Sequence, residues 1–159
     1  MKIYSFKRIQ LLPTTMTKAW DFFSTPKNLA KLTPADITFK ILYVSGGEKV
    51  YAGQIIRYKI TLLPGMKVNW LTEITHVKDY THFIDEQRFG PYAFWHHQHH
   101  FKEVAEGVEM TDEVSYAIPL GFIGRMANWF FVERKLNAIF EYRHKAIENL
   151  FSNEKNIPN

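Results

Sequence analysis

Four of the seven histidines fall within one short stretch, Asp85 to Phe101, which runs Asp-Glu-Gln-Arg-Phe-Gly-Pro-Tyr-Ala-Phe-Trp-His-His-Gln-His-His-Phe. Gly90-Pro91 supplies a turn, and the flanking residues alternate like the two strands of a β-hairpin. Successive strand side chains point to opposite faces, so the histidines divide into two sets. Trp95, His97, His99 and Phe101 share one face; Phe94, His96, Gln98 and His100 share the other. Two large hydrophobes bracket the first set, which places it inward. The same alternation puts Asp85 and Gln87 inward on the preceding strand, with Phe83 and Phe89. On the following strand it puts Val108, Met110, Asp112, Val114 and Tyr116 inward. A two-residue turn at Ala105-Glu106 would set His99 opposite Asp112 and His97 opposite Val114; a bulge would shift this by two residues. The expected result is a polar strip on an apolar wall: Asp85, Gln87, His97, His99 and Asp112.

That set of residue types permits four kinds of chemistry. Buried carboxylates are costly unless paired, and imidazole is a natural partner because either ring nitrogen can donate. The strip can therefore be a self-satisfied network that sets strand register. It can equally anchor the polar end of a ligand whose apolar body lies among aromatics. A His–Asp pair open to a cavity could do general acid–base work on an enolisable substrate. His97 and His99, one pleat apart, could also chelate zinc with Asp112 in an N/N/O set. Histidines at this spacing are common in strands without metal and no third ligand stands out, so no metal or other cofactor is assigned.

These side chains need a sheet to hold them. Lys2 to Leu12 reads as a first strand, ended by Pro13. Thr14 or Thr15 can cap a short helix over Met16 to Phe23, and Pro26 suits the first turn of another, Pro26 to Lys31. After Pro34 the pattern is almost wholly β. Strands are expected over Ile37 to Ser45, Gln54 to Leu62, Met66 to Val77, Thr81 to Phe89, Tyr92 to Val104 and Val108 to Ala117. Gly46-Gly47 and Pro64-Gly65 mark turns. Connections this short require antiparallel neighbours. From Leu120 the period becomes helical. Phe122, Met126, Trp129, Phe130, Leu136, Ile139, Phe140, Arg143, Ile147 and Leu150 trace one face of a helix from Gly121 to Phe151, roughly 45 Å long. Arg143 on that face could anchor an anion, but is read first as a snorkelling side chain near the helix end. The fold class is α+β: a curved seven-stranded antiparallel sheet wrapped around one long C-terminal helix, with two short helices after the first strand. A straight helix against a curved sheet leaves a space suited to a ligand.

The totals narrow the classes. A chain of 159 residues, 46% hydrophobic and 16% aromatic, is long enough for one domain with a bulky core or lined cavity. Residues 1–151 are assigned to it and 152–159 to a polar tail. With no cysteine there is no disulfide, thiolate metal site or cysteine nucleophile. The N-terminal residues lack the apolar core of a signal peptide, and no stretch approaches the ~18 apolar residues of a membrane span. The chain is therefore expected to be cytoplasmic. A net charge of +4 with basic and acidic residues interspersed argues against a nucleic-acid partner.

The order of elements resembles the START-like, birch-pollen-allergen-like superfamily (SRPBCC), whose fold is the helix grip. The resemblance is to its small bacterial ligand-binding branch. It is carried by Trp70 and Ile74, Phe83-Ile84-Asp85-Glu86-Gln87, Gly90-Pro91-Tyr92, and Trp95, His97, His99 and Phe101. Asp112, Val114, Tyr116, Pro119-Leu120-Gly121 and Phe140 to Arg143 continue it over nearly the whole chain. Relatives in that superfamily include lipid carriers, hormone receptors, polyketide cyclases and proteins that help position quinones. The resemblance thus implies the helix-grip fold and a cavity for a small hydrophobic, lipid-like or polyketide-like molecule. In this chain Asp85, Gln87, His97, His99 and Asp112 would hold its polar end. Trp70, Phe83, Trp95, Tyr116, Met126 and Trp129 would line the apolar part. Non-catalytic binding is the expected function, with a cyclase- or dehydratase-like enzyme as the rival. A homodimer stays open.

Overall fold

The computed structural model describes residues 1–34, 37–63 and 66–152. Strand β1 (Tyr4–Leu12) is followed by helix α1 (Met16–Phe23) and a short 3-10 helix (Pro26–Leu32). Six strands come next: β2 (Phe39–Val44), β3 (Gln54–Leu63), β4 (Met66–Lys78), β5 (His82–Phe89), β6 (Phe94–Val104) and β7 (Gly107–Ala117). They form one open antiparallel sheet in the order β1-β7-β6-β5-β4-β3-β2. The expected turn at Pro64-Gly65 and the tail beyond Ser152 lie outside the described residues.

Local chemistry accounts for the opening helices. Thr15 Oγ1 accepts from the Lys18 amide and caps α1, and a proline opens the 3-10 helix, where a missing N–H costs nothing. Between β6 and β7 the two-residue turn at Ala105-Glu106 gives the register expected from it, His99 opposite Asp112 and His97 opposite Val114. Gly107 ends that turn at φ +142°, and a Cβ there would meet the Leu12 carbonyl oxygen at 2.2 Å, so only glycine fits.

Two register shifts between β4 and β5 bend the sheet, as bulges do. One of them also overturns an expectation. Thr72 pairs with Gln87 but Leu71 pairs with Phe89, so Arg88 is an extra residue, and Phe89 turns out to solvent at 69% exposure instead of facing inward.

The C-terminal element departs from a single helix as well. It comprises α2 (Gly121–Ala127), a π-helical turn (Asn128–Val132) and α3 (Glu133–Ser152). In α3 the expected face is buried, at Leu136, Phe140, Arg143 and Ile147. Before it, Phe122, Met126, Trp129 and Phe130 are all exposed. A π turn takes up more residues per turn than the α-helix, so one helical period cannot carry both halves onto the same side. Phe140 packs edge-on against Phe6 (ring centres 4.7 Å apart), Arg8 Nη2 donates to Asn137 Oδ1 and Gln10 Nε2 donates to the His144 carbonyl. These contacts seat α3 across β1 and over the concave face of the sheet. No helix among the described residues is long and apolar enough to cross a membrane.

Candidate functional site

The inward faces of β5, β6 and β7 bring two carboxylates and two imidazoles into one cluster. His97 and His99 are 4% and 5% exposed, and their ring centres are 3.8 Å apart. His97 Nε2 donates to Asp112 Oδ1 at 2.9 Å, and His99 Nε2 donates to Asp85 Oδ2 at 3.0 Å. The other two ring nitrogens also face carboxylates. His97 Nδ1 lies 3.3 Å from Asp85 Oδ2, and His99 Nδ1 lies 2.7 Å from Asp112 Oδ1. The last approach is short but out of line, so buried His99 Nδ1 has no hydrogen-bond partner. Each histidine thus touches both aspartates.

Charge and burial compete in this cluster, and the partners win. Burial alone would push the Asp85 carboxyl up, but the charge and close contact of His97, then those of His99, hold it far below the usual carboxylate range. Burial would likewise raise Asp112; the Arg143 guanidinium and the two histidines hold it well below. For His97 burial favours the neutral ring, yet Asp85 and Asp112 raise its pKa above the ordinary imidazole value.

Beside this cluster lies a cavity of about 200 Å³ between the sheet and α3. Phe22 and Leu32 close one side, Ile56, Tyr58 and Trp70 form the sheet wall, and Ile139 and Arg143 descend from α3. Asp85, His97 and His99 form its polar end. Tyr58 OH and Thr72 Oγ1 share a hydrogen bond at 2.9 Å on the same wall. Burial, with the Asp85 charge, pushes the Tyr58 phenol well above its ordinary value, so it stays neutral.

Of the expected site residues, Asp85, His97, His99, Trp70, Phe83 and Trp95 line this cavity. Asp112 stands behind the histidines and makes its contacts through them. Gln87 is turned away: its amide brackets Tyr92, with Nε2 donating to the Tyr92 carbonyl and Oε1 accepting from the Tyr92 amide. Tyr116 is buried but packs against Tyr4 and Tyr92, outside the cavity wall. Met126 and Trp129, expected on the wall, are 46% and 71% exposed and do not reach it, because the π turn separates them from the buried face of α3.

Arg143 is the residue that the sequence undervalued. It does not snorkel: it is 8% exposed, stacks over Phe140, lines the cavity and leaves Nε without a partner. Its place on the same helical face as Phe140 was visible; its depth depended on where the helix crosses the sheet.

The architecture is a helix grip, and solved structures share that fold. The chain is similar to protein CV1439 from Chromobacterium violaceum, at 13% identity and a TM-score of 0.70, over 93% of this chain and 97% of that one. It is similar to ginseng major latex-like protein 151 from Panax ginseng, at 13% identity and a TM-score of 0.68, over 94% and 97%. TTHA0849 from Thermus thermophilus matches at 16% identity and a TM-score of 0.65, over 93% and 95%. At these identities the likeness is one of fold. The sequence matches no family profile and no curated protein.

Proposed function

We propose that the protein binds a small hydrophobic molecule with an anionic or oxygen-bearing end in the cavity between sheet and α3, without transforming it. One observation carries this reading. Trp70 Nε1, from the sheet, and Arg143 Nε, from the helix, both belong to the cavity wall, and both are buried donors with no partner among the described residues. An unsatisfied buried donor costs roughly 1–3 kcal/mol, more when charged, and an acceptor on a bound molecule would recover that cost. The apolar walls supply the rest of the affinity. A cavity of about 200 Å³ is small; an engineered apolar cavity of ~150 Å³ holds benzene, so the occupant is the size of a single substituted ring or a short chain.

Native mass spectrometry of the protein as purified, followed by titration with phenylacetate and hexanoate, tests this. The expected result is a retained organic mass lost on denaturation, or saturable binding of one of the two acids that falls at least tenfold in Arg143→Met. A bare polypeptide that binds neither acid overturns the proposal. The rival reading has its own observation, since Asp85, His97 and His99 face the cavity and could serve an enolisable substrate as acid and base. Binding is preferred because these groups are already engaged with one another and with Asp112. Turnover with a bell-shaped pH profile would reverse that preference.

A further inference from the structure

We infer that Asp85, His97 and His99 form a site for a divalent first-row transition-metal ion of the zinc class, with Asp112 behind them as the carboxylate that orients both imidazoles. One ligand atom from each of the three lies within 4.8 Å of the others. Zinc bonds nitrogen and oxygen at ~2.0–2.2 Å, so neighbouring ligand atoms of a tetrahedral site stand about 3.3 Å apart. Asp85 Oδ2 is 3.3 Å from His97 Nδ1 and 3.0 Å from His99 Nε2. Two edges of the coordination polyhedron are therefore close to their final lengths.

The count of donors points the same way. Four ring nitrogens approach two carboxylates at 2.7 to 3.3 Å. Two neutral imidazoles carry only two N–H groups between them. Two of the four approaches then set a lone pair against a carboxylate, unless both rings take a second proton or a cation enters. A divalent ion replaces those two protons at constant charge. His97 Nδ1 and His99 Nε2 would give their lone pairs to the ion, leaving His97 Nε2–H and His99 Nδ1–H to Asp112. The first of those bonds exists already, at 2.9 Å. The second needs the His99 ring to turn into line, since its buried Nδ1, now without a partner, already lies 2.7 Å from the same oxygen. A carboxylate holding the far nitrogen of a metal-bound histidine is the usual outer shell of such sites.

Three protein ligands leave a fourth position, and all three line the cavity, so that position opens onto it. The set lacks sulfur, which suits zinc, cobalt or iron(II) over copper(I). The sequence offered Asp112 for a chelate with the two histidines but no clear third ligand; the sheet register makes Asp112 the orienting group and brings Asp85 beside both rings. The metal site does not depend on the ligand reading: a protein that takes up zinc but no organic molecule satisfies the one and refutes the other.

The test is calorimetric titration of chelator-treated full-length protein with Zn²⁺, and separately with Co²⁺ followed by visible absorption. One equivalent of Zn²⁺ is expected, retained in the double variant His96→Gln/His100→Gln, lost in His99→Gln, and weakened about 10–100-fold in Asp112→Asn. Uptake unchanged in His99→Gln, or lost in His96→Gln/His100→Gln, overturns the site, as does failure of the wild-type protein to bind. Should His99→Gln fail to fold, cobalt decides. Four- or five-coordinate bands with paramagnetic shifts at His97 and His99 support the site, and a hexa-aquo spectrum rejects it.

Discussion

The two faces of β6 carry the same residue types in opposite settings. Outward, His96 Nδ1 lies 2.7 Å from Glu86 Oε1, and Glu86 also takes Arg88 Nη1 at 2.9 Å. Inward, His97 and His99 lie 2.7 to 3.3 Å from Asp112 and Asp85. The distances hardly differ. The solvent does: the side chains of His96 and Glu86 are 25% and 23% exposed, those of His97 and His99 only 5% and 7%. Two unit charges 4 Å apart interact by about 1 kcal/mol in water and about 4 kcal/mol at an effective dielectric near 20. Contact geometry alone therefore does not distinguish a functional pair from a surface one; dehydration and a neighbouring cavity do.

Removing one carboxylate from each face should separate them most. Asp112→Ala leaves two buried imidazoles short of a partner and should cost about 3–5 kcal/mol, against at most ~1 kcal/mol for Glu86→Ala on the wetter face. Urea unfolding of both variants measures the difference. Equal losses would mean that the inward cluster is better solvated than its burial indicates.

Acid acts on the inward cluster in a direction set by its shifts. Asp85 and Asp112 are held below the ordinary carboxylate range, so the unfolded chain takes up their protons first. Their contribution is complete above the unfolded values near 4 and is lost as pH falls through the native ones. His97 is raised, so its contribution is complete below about 6.5 and is lost as pH rises through its native value. With chelator present, the contribution of these three groups should be greatest between about pH 4 and 6.5, and Asp112→Asn should flatten the acid limb. Denaturant midpoints across pH check both limbs.

Metal sharpens the comparison further. Zinc at a hundredfold its Kd should stabilise the fold by about 2.7 kcal/mol. The gain should vanish with chelator and survive His96→Gln/His100→Gln, as thermal melts would show. The smallest effect belongs to the exposed start of the C-terminal element: Trp129→Ala, at a site 71% exposed, should change stability by no more than ~0.5 kcal/mol. A larger loss would show that Trp129 is covered in solution.

Much of this was legible from period and turn chemistry. Alternation on β6 and β7 and a two-residue turn without a bulge pair His99 with Asp112, because strand side chains repeat every two residues and such a turn leaves one register. The helix caps and the inward strip of Asp85, His97 and His99 followed in the same way. Departures begin where an element is irregular. The extra residue at Arg88 turns Phe89 outward. The π turn removes Met126 and Trp129 from a wall that a continuous helix would have given them. Neither interruption leaves a mark in hydrophobic periodicity.

Which residues share a face was readable from the chain, since that depends on backbone repeat and local turns alone. Packing between elements set which faces meet. It laid α3 so that Arg143 enters the cavity, and it curved the sheet so that Asp85 approaches both histidines. It also left Asp112 behind them, because distances between elements far apart in the chain depend on how curved surfaces pack.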